Sequence, residues 1–241
     1  WTEQCVLLLL NQGNNDVMNP ARTNTYIPGS NTLGKIWPEA TVEVDPALED
    51  KGDLEFKPIT LEDFNNAPAR RVIKSHARVE QLLGCNGEGL ARIPEGVKVL
   101  VVSRNPLDAC VSSYYHAFNP HKCGWTFEAW AAVWLEGHVR FGDYFEWVRD
   151  WHRDAARHSD KGMWLQYENM QKDPRGQIEQ IAAYLGIPVT AEIVDKVLHF
   201  SSFDTMKATA EAKGDHIGHM RYSKARVFCS LFAYHLHNLV L

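Results

Sequence analysis

The 241-residue chain has no G-x-x-x-x-G-K-[ST] loop, no G-x-G-x-x-G turn and no Gly-x-Ser-x-Gly elbow. Those absences remove the common glycine-rich phosphate cradles and the strained serine nucleophile. No carboxylate pair stands out for glycoside chemistry. His116, His121 and Cys123 gather round one loop and His216 with His219 form a His-x-x-His, but neither group has the spacing of a zinc site, and no metal is expected. Cysteine is scarce: five residues, an odd number without framework spacing, suit a reducing compartment. Cys5 and Cys110 lie in apolar helical patterns and read as core. The longest apolar run, Cys5 to Leu10, is too short to span a membrane and lacks the basic flank of a signal peptide. The chain therefore reads as cytoplasmic, with no membrane partner. Positive charge is also short, 25 Lys and Arg against 30 Asp and Glu, for a net −5. That balance argues against general nucleic-acid binding and still permits a local basic pocket. An initiator Met is lacking too, and since the chain starts at Trp1 inside a helical pattern, upstream residues are expected.

What is present is organised around Val97 to Phe118, VKVLVVSRNPLDACVSSYYHAF. The valine-rich run Val97 to Val102 predicts a strand buried on both faces of a parallel sheet. Ser103 and Arg104 stand at its end. Asn105 suits an N-cap, Pro106 the first helical position and Asp108 the third, where a carboxylate favours the helix start. In open α/β sheets ligands bind at this edge, outside the carboxyl ends of the strands. A helix start offers free N–H groups, and Arg104 adds a permanent cation whose fork matches phosphate oxygens. Ser112 lies about two turns on, on the same face, so the two side chains could share one phosphate. Spacing alone leaves open the plainer reading, a solvated arginine and an ordinary helix serine.

The other elements follow in order. Trp1 to Gln12 reads as a buried helix. Residues 14–69 read as loops and short helices, including Leu61 to Asn65. Arg70 to Lys74 is a second strand, Val79 to Leu83 a brief helix, and Gly84 to Gly89 a turn. Thr126 to His138 and Tyr144 to Arg157 are amphipathic helices whose Trp130, Trp134, Trp147 and Trp151 read as core. Met163 to Tyr167 is a third strand, followed by a turn. Asp173 caps a helix to Leu185 and Thr190 one to His199. Ser201 to Lys207 is a short segment, Ala208 to Gly218 a polar and mobile one, and Tyr222 to Asn238 a last helix. Strands alternating with helices predict an α/β fold, one domain over residues 1–241 with a central, mainly parallel sheet flanked by helices. Just past the second strand, His76 could take a proton from an acceptor, because imidazole titrates near neutrality. Lys74 could neutralise a leaving oxygen.

Four segments together resemble one family, the cytosolic-type sulfotransferases that use 3′-phosphoadenosine 5′-phosphosulfate (PAPS). Ser103-Arg104-Asn105-Pro106-Leu107-Asp108 and Val111-Ser112-Ser113-Tyr114-Tyr115-His116 resemble the family's 3′-phosphate signature, whose arginine and serine match Arg104 and Ser112. Lys74-Ser75-His76 is similar to its Lys-Thr-His, with a catalytic histidine and a lysine on the sulfuryl group. Leu165 to Met170, followed by Asp173-Pro174-Arg175, resembles the segment whose tyrosine, here Tyr167, contacts the nucleotide. Ser201-Ser202-Phe203-Asp204-Thr205-Met206-Lys207 is similar to the Thr-Ser-Phe-x-x-Met-Lys segment on the adenine. Trp1 matches the last residue of the Lys-Ser-Gly-Thr-Thr-Trp loop; the strand and loop before it are expected upstream. Arg221 matches the first arginine of a C-terminal Arg-Lys-Gly motif that is broken here by Tyr222-Ser223.

The resemblance implies the nucleotide kinase-like sulfotransferase fold. It further implies sulfuryl transfer from PAPS to a small-molecule alcohol, phenol or amine, with PAP as product, His76 as base, Lys74 assisting and no metal. The donor residues so implied are Trp1, Arg104, Ser112, Tyr167, Ser201, Ser202, Phe203, Met206 and Arg221. Phe118, His121 and Trp125 are expected to line the acceptor pocket. Two other readings stay open: an inactive nucleotide-binding module of the same fold, and a nucleoside or nucleotide kinase. A homodimer is also open.

Overall fold

The structure is a computed structural model, and it describes residues 1–16, 25–26, 32–36, 57–58, 61–66, 70–81, 87–116, 124–139 and 141–212. The chain divides into two compact units, Trp1–His76 with Asp173–Ile217, and Ala77–Lys172 with Gly218–Leu241.

The first unit is built on α1 (Thr2–Leu10). Its run Cys5, Val6, Leu7, Leu8 and Leu9 is buried throughout, as expected of a helix that is apolar on every side. α1 packs on α7 (Pro174–Leu185) and α8 (Ala191–Ser201), and on β2 (Thr32–Ile36) and β4 (Arg70–Ile73). β2 and β4 run parallel, with Ile36 opposite Ile73, and Lys74 extends the ladder by donating its N–H to Ile36 at 2.8 Å. β1 (Thr25–Tyr26) and β3 (Lys57–Pro58) pair antiparallel, α2 covers Leu61–Asn66, and α9 covers Phe203–Ala212. Gly13 closes α1 in the left-handed region, φ 79°, where a Cβ would stand 2.9 Å from the Cβ of Lys196 on α8.

α7 shows why these helices begin where they do. Asp173 Oδ1 accepts from the Gly176 N–H at 3.0 Å, Pro174 occupies the first turn, and Gly186 ends the helix at φ 63°. Asp173→Ala should cost about 1 kcal/mol of stability. Chemical denaturation checks this; an unchanged midpoint would show the cap to be idle.

In the second unit β5 (Val99–Ser103) and β6 (Gly162–Gln166) pair in parallel register from Val99 opposite Gly162 to Ser103 opposite Gln166. α5 (Tyr144–Arg157) packs on both strands, and Val101, Trp151, Ala155, Leu90 and Ile93 form the core between them. α3 (Pro106–His116) and α4 (Phe127–Leu135) enclose a second cluster of Cys110, Tyr114, Trp130 and Trp134. Three of the four tryptophans read as core are buried, and Trp147 packs partly buried against the first cluster.

Several expectations are corrected. Thr25–Tyr26, Thr32–Ile36 and Lys57–Pro58 are strands inside the stretch read as loops and short helices. Val79–Gln81 is a single 3-10 turn, and a second one covers Gly89–Arg92. Tyr167 starts α6 (Tyr167–Lys172) instead of ending a strand that leads into a turn. The segment expected to be short and then mobile is helical through Ala212, because Ser202 caps it. The predicted last helix lies outside the described residues.

Candidate active site

The second unit gathers its polar groups where β5 and β6 end. Because Ser103 lies opposite Gln166, the next residues on the two strands, Arg104 and Tyr167, emerge side by side. The guanidinium carbon of Arg104 stands 4.6 Å from the centre of the Tyr167 ring, a cation–π arrangement. One residue further, the Asn105 N–H donates to Glu168 Oε1 at 2.7 Å, while Asn105 Oδ1 accepts from the Leu107 N–H at 2.9 Å and caps α3. The sequence reading of Asn105 and Pro106 holds. Ser112, half-buried, follows in the second turn of α3.

The Arg104 backbone is held by a residue that the sequence did not single out. Tyr144, the first residue of α5, accepts from the Arg104 N–H at 3.0 Å and donates its hydroxyl to the Arg104 carbonyl. Burial pushes the phenol's pKa up, against the opposing pull of the Arg104 N–H, so it stays protonated and able to donate. Ser103 Oγ donates to the Leu165 carbonyl at 3.2 Å and ties the two strand ends together below the site.

In the first unit, Lys74 and His76 are both half-buried while Ser75 between them is exposed. This alternation fits a chain that continues extended past β4, with the two side chains on one side. Trp1 stands at the head of α1, where its carbonyl accepts from the Cys5 N–H at 2.9 Å. One turn into α1, the Cys5 thiol neighbours Ser201, the last residue of α8; burial raises the thiol to about 11 and the Ser201 hydroxyl opposes that rise. The contact falls short of hydrogen-bond geometry: Ser201 Oγ, in a residue 1% exposed, has no hydrogen-bond partner among the described residues. Ser202 Oγ accepts from the Thr205 N–H at 3.2 Å and donates to Thr205 Oγ1 at 2.8 Å, so it caps α9. Phe203 and Met206 follow, half-buried, in the first turn of α9. Thus the structure brings Arg104 to Tyr167, and the head of α1 to the α8–α9 junction. Arg221, Phe118 and His121 lie outside the described residues; Trp125 is 46% exposed and its carbonyl accepts from the Tyr114 hydroxyl at 2.7 Å. Among the described residues no group of three or more His, Cys, Asp or Glu could hold a metal ion. None of their helices is long and apolar enough to cross a membrane.

In a parallel α/β protein, an arginine at a strand end with a capped helix behind it stands at the edge where such folds take their ligands. The family can be stated more narrowly. The chain belongs to the sulfotransferase family: the model of the Sulfotransferase domain matches residues 1–229. It is 30% identical to Sulfotransferase 1A1 of Rattus norvegicus over 161 residues, 64% of this chain and 52% of that protein. Sulfotransferase 2B1 of Mus musculus is 31% identical over 143 residues, 58% of this chain and 40% of that protein. Among solved structures, mouse sulfotransferase SULT7A1 complexed with PAP is 27% identical with a TM-score of 0.53, over 69% of this chain and 58% of that one. Retinol dehydratase in complex with androsterone and PAP, 22% identical with a TM-score of 0.55, covers 72% of this chain and 53% of its own and shares the fold. The chain spans about half the length of the curated relatives it matches. The family match sets aside the kinase reading.

Proposed function

We propose that the protein to which this chain belongs transfers a sulfuryl group from PAPS to the hydroxyl or amine of a small molecule. The observation that carries this reading is the Arg104–Tyr167 pair at the ends of β5 and β6, within a chain of the sulfotransferase family. Arg104 offers a fixed cation for the 3′-phosphate, with Ser112 as a second donor and Tyr167 as the nucleotide's ring contact. The buried, unpartnered Ser201 hydroxyl supports an adenine contact, since an orphaned buried polar atom is costly unless a ligand satisfies it. Trp1, Ser202, Phe203 and Met206 would complete that part of the site, and Arg221 would add to the phosphate contacts.

The donor supplies an activated sulfuryl group when bound. His76 removes the acceptor's proton as the acceptor's bond to sulfur forms, and the bond from sulfur to the phosphate oxygen breaks. Lys74 neutralises the charge left on that oxygen, as positioning and charge neutralisation do in phosphoryl transfer. Cytoplasmic location and small aromatic or alcoholic acceptors accompany the reading.

Calorimetric titration of the intact protein with adenosine 3′,5′-bisphosphate, with AMP as the control, tests it. The 3′-phosphate should improve affinity roughly tenfold or more, the worth of a charge-assisted pair. Equal affinity for the two nucleotides overturns the reading. Binding without transfer of label from PAPS to any member of a panel of phenols, alcohols and amines would favour an inactive nucleotide-binding module.

A further inference from the structure

The aromatic stripe of α5 has polar tips that core packing does not use, and both tryptophan tips end on one atom. Trp147 Nε1 and Trp151 Nε1 each donate to the carbonyl of Ala77, at 3.1 Å and 3.1 Å. Ala77 immediately follows His76. A carbonyl can accept two hydrogen bonds, and here both donors are rigid indoles from successive turns of one helix. The next residue is also tied to α5: Arg78 pairs with Glu146 at 3.1 Å and with Asp150 at 3.3 Å. Asp150 is nearly buried, and its bond to Arg149, with further charge from Arg153, keeps its carboxyl below the usual range and therefore charged. The same face of α5 begins with Tyr144, whose hydroxyl grips the Arg104 peptide on both sides. Tyr144 and Trp147 are stacked, with ring centres 6.4 Å apart and planes 14° from parallel, and Trp151 follows at 6.2 Å.

We infer that Tyr144, Trp147 and Trp151 are positioning residues: one helix face fixes the chain at Ala77, next to the base, in the same frame as Arg104. The inference rests on the reading of His76 as the base. A helix is stiff, and residues at i, i+3 and i+7 lie along one side of it. The backbone at Ala77 and the backbone at Arg104, both within the second unit, are thereby held by a single rigid element. Neither tryptophan needs to touch donor or acceptor for this. Displacement of a reacting group by about 1 Å can cost about a hundredfold in rate, so loosening residue 77 has a kinetic signature.

The test uses the double variant Trp147→Phe with Trp151→Phe, which keeps both rings in the core and removes both N–H donors. Turnover is followed with labelled PAPS and 2-naphthol, PAP affinity by calorimetry, and the His76 imidazole signal by NMR of the PAP-bound protein, assigned by its loss in His76→Ala. The expected result is a kcat lowered roughly tenfold or more, PAP affinity unchanged within about twofold, and a shifted or broadened His76 signal. A single Tyr144→Phe exchange should instead weaken PAP binding, since it frees the Arg104 peptide. An unchanged His76 signal in the double variant overturns the inference whether or not 2-naphthol is an acceptor. Undiminished turnover in His76→Ala would instead remove the base assignment on which it rests.

Discussion

Replacing His76 by alanine is expected to lower kcat by about 10²- to 10⁴-fold, the usual worth of a positioned general base. PAP affinity should stay within about twofold, because every residue read as a donor contact lies elsewhere in the sequence. The rate loss corresponds to about 3–5 kcal/mol of barrier. Its source is specific: the acceptor must lose a proton as its bond to sulfur forms, and water in a closed site is a poor substitute for imidazole. Lys74, two residues away and half-buried like His76, cannot take over, since an ammonium has no lone pair to accept with. The measurements are single-turnover transfer from labelled PAPS and calorimetry with PAP on the same preparation. If the variant loses PAP binding in step with turnover, His76 is a donor contact and the proton must go elsewhere.

How far the sequence disclosed all this depended on whether a feature was local. α5 falls on the predicted Tyr144–Arg157, because its apolar stripe has helical period and Asp143 caps it, accepting from the Phe145 N–H at 2.7 Å and the Glu146 N–H at 3.1 Å. Asp173, Pro174 and Thr190 announce α7 and α8 in the same way: Thr190 Oγ1 accepts from the Ile193 N–H at 3.3 Å. β2 gave no such signal. Thr32–Ile36 contains a glycine and no alternation, and only pairing with β4 makes it a strand. α9 is hidden for a different reason: its cap, Ser202, directly follows the last residue of α8, so the sequence shows no loop between the two helices.

The candidate site divides along the same line. Arg104 and Asn105 were legible because strand end, cap and helix start are contiguous. The approach of Arg104 to Tyr167 was not, since it follows from the β5–β6 register and neither stretch contains it. Trp147 and Trp151 read as core from the sequence, which is half of what they do, and Tyr144 reads only as the start of a helix. Aromatic side chains with an O–H or N–H find a partner when buried, and here the partners are the backbone at Arg104 and Ala77.

Arg104→Ala should weaken PAP binding by roughly ten- to a hundredfold, as expected for a charge-assisted contact worth about 1.5–3 kcal/mol. AMP binding should change far less, because AMP lacks the phosphate that the guanidinium meets. This difference separates two roles that the geometry combines in one side chain. Arg104 also lies over the Tyr167 ring, a contact worth about 0.5–1 kcal/mol at a partly exposed site. If the arginine acted only by steadying the tyrosine, both nucleotides would suffer equally. Arg104→Lys sharpens the comparison: it keeps the charge and loses the planar fork, so PAP affinity should fall between wild type and alanine. The backbone is not at risk in either variant, since Tyr144 grips the peptide of residue 104 through its N–H and carbonyl, whatever side chain that residue carries. A PAP-specific loss therefore reports on the phosphate contact. An equal loss for both nucleotides would move the 3′-phosphate away from β5 and leave Arg104 as a support for Tyr167.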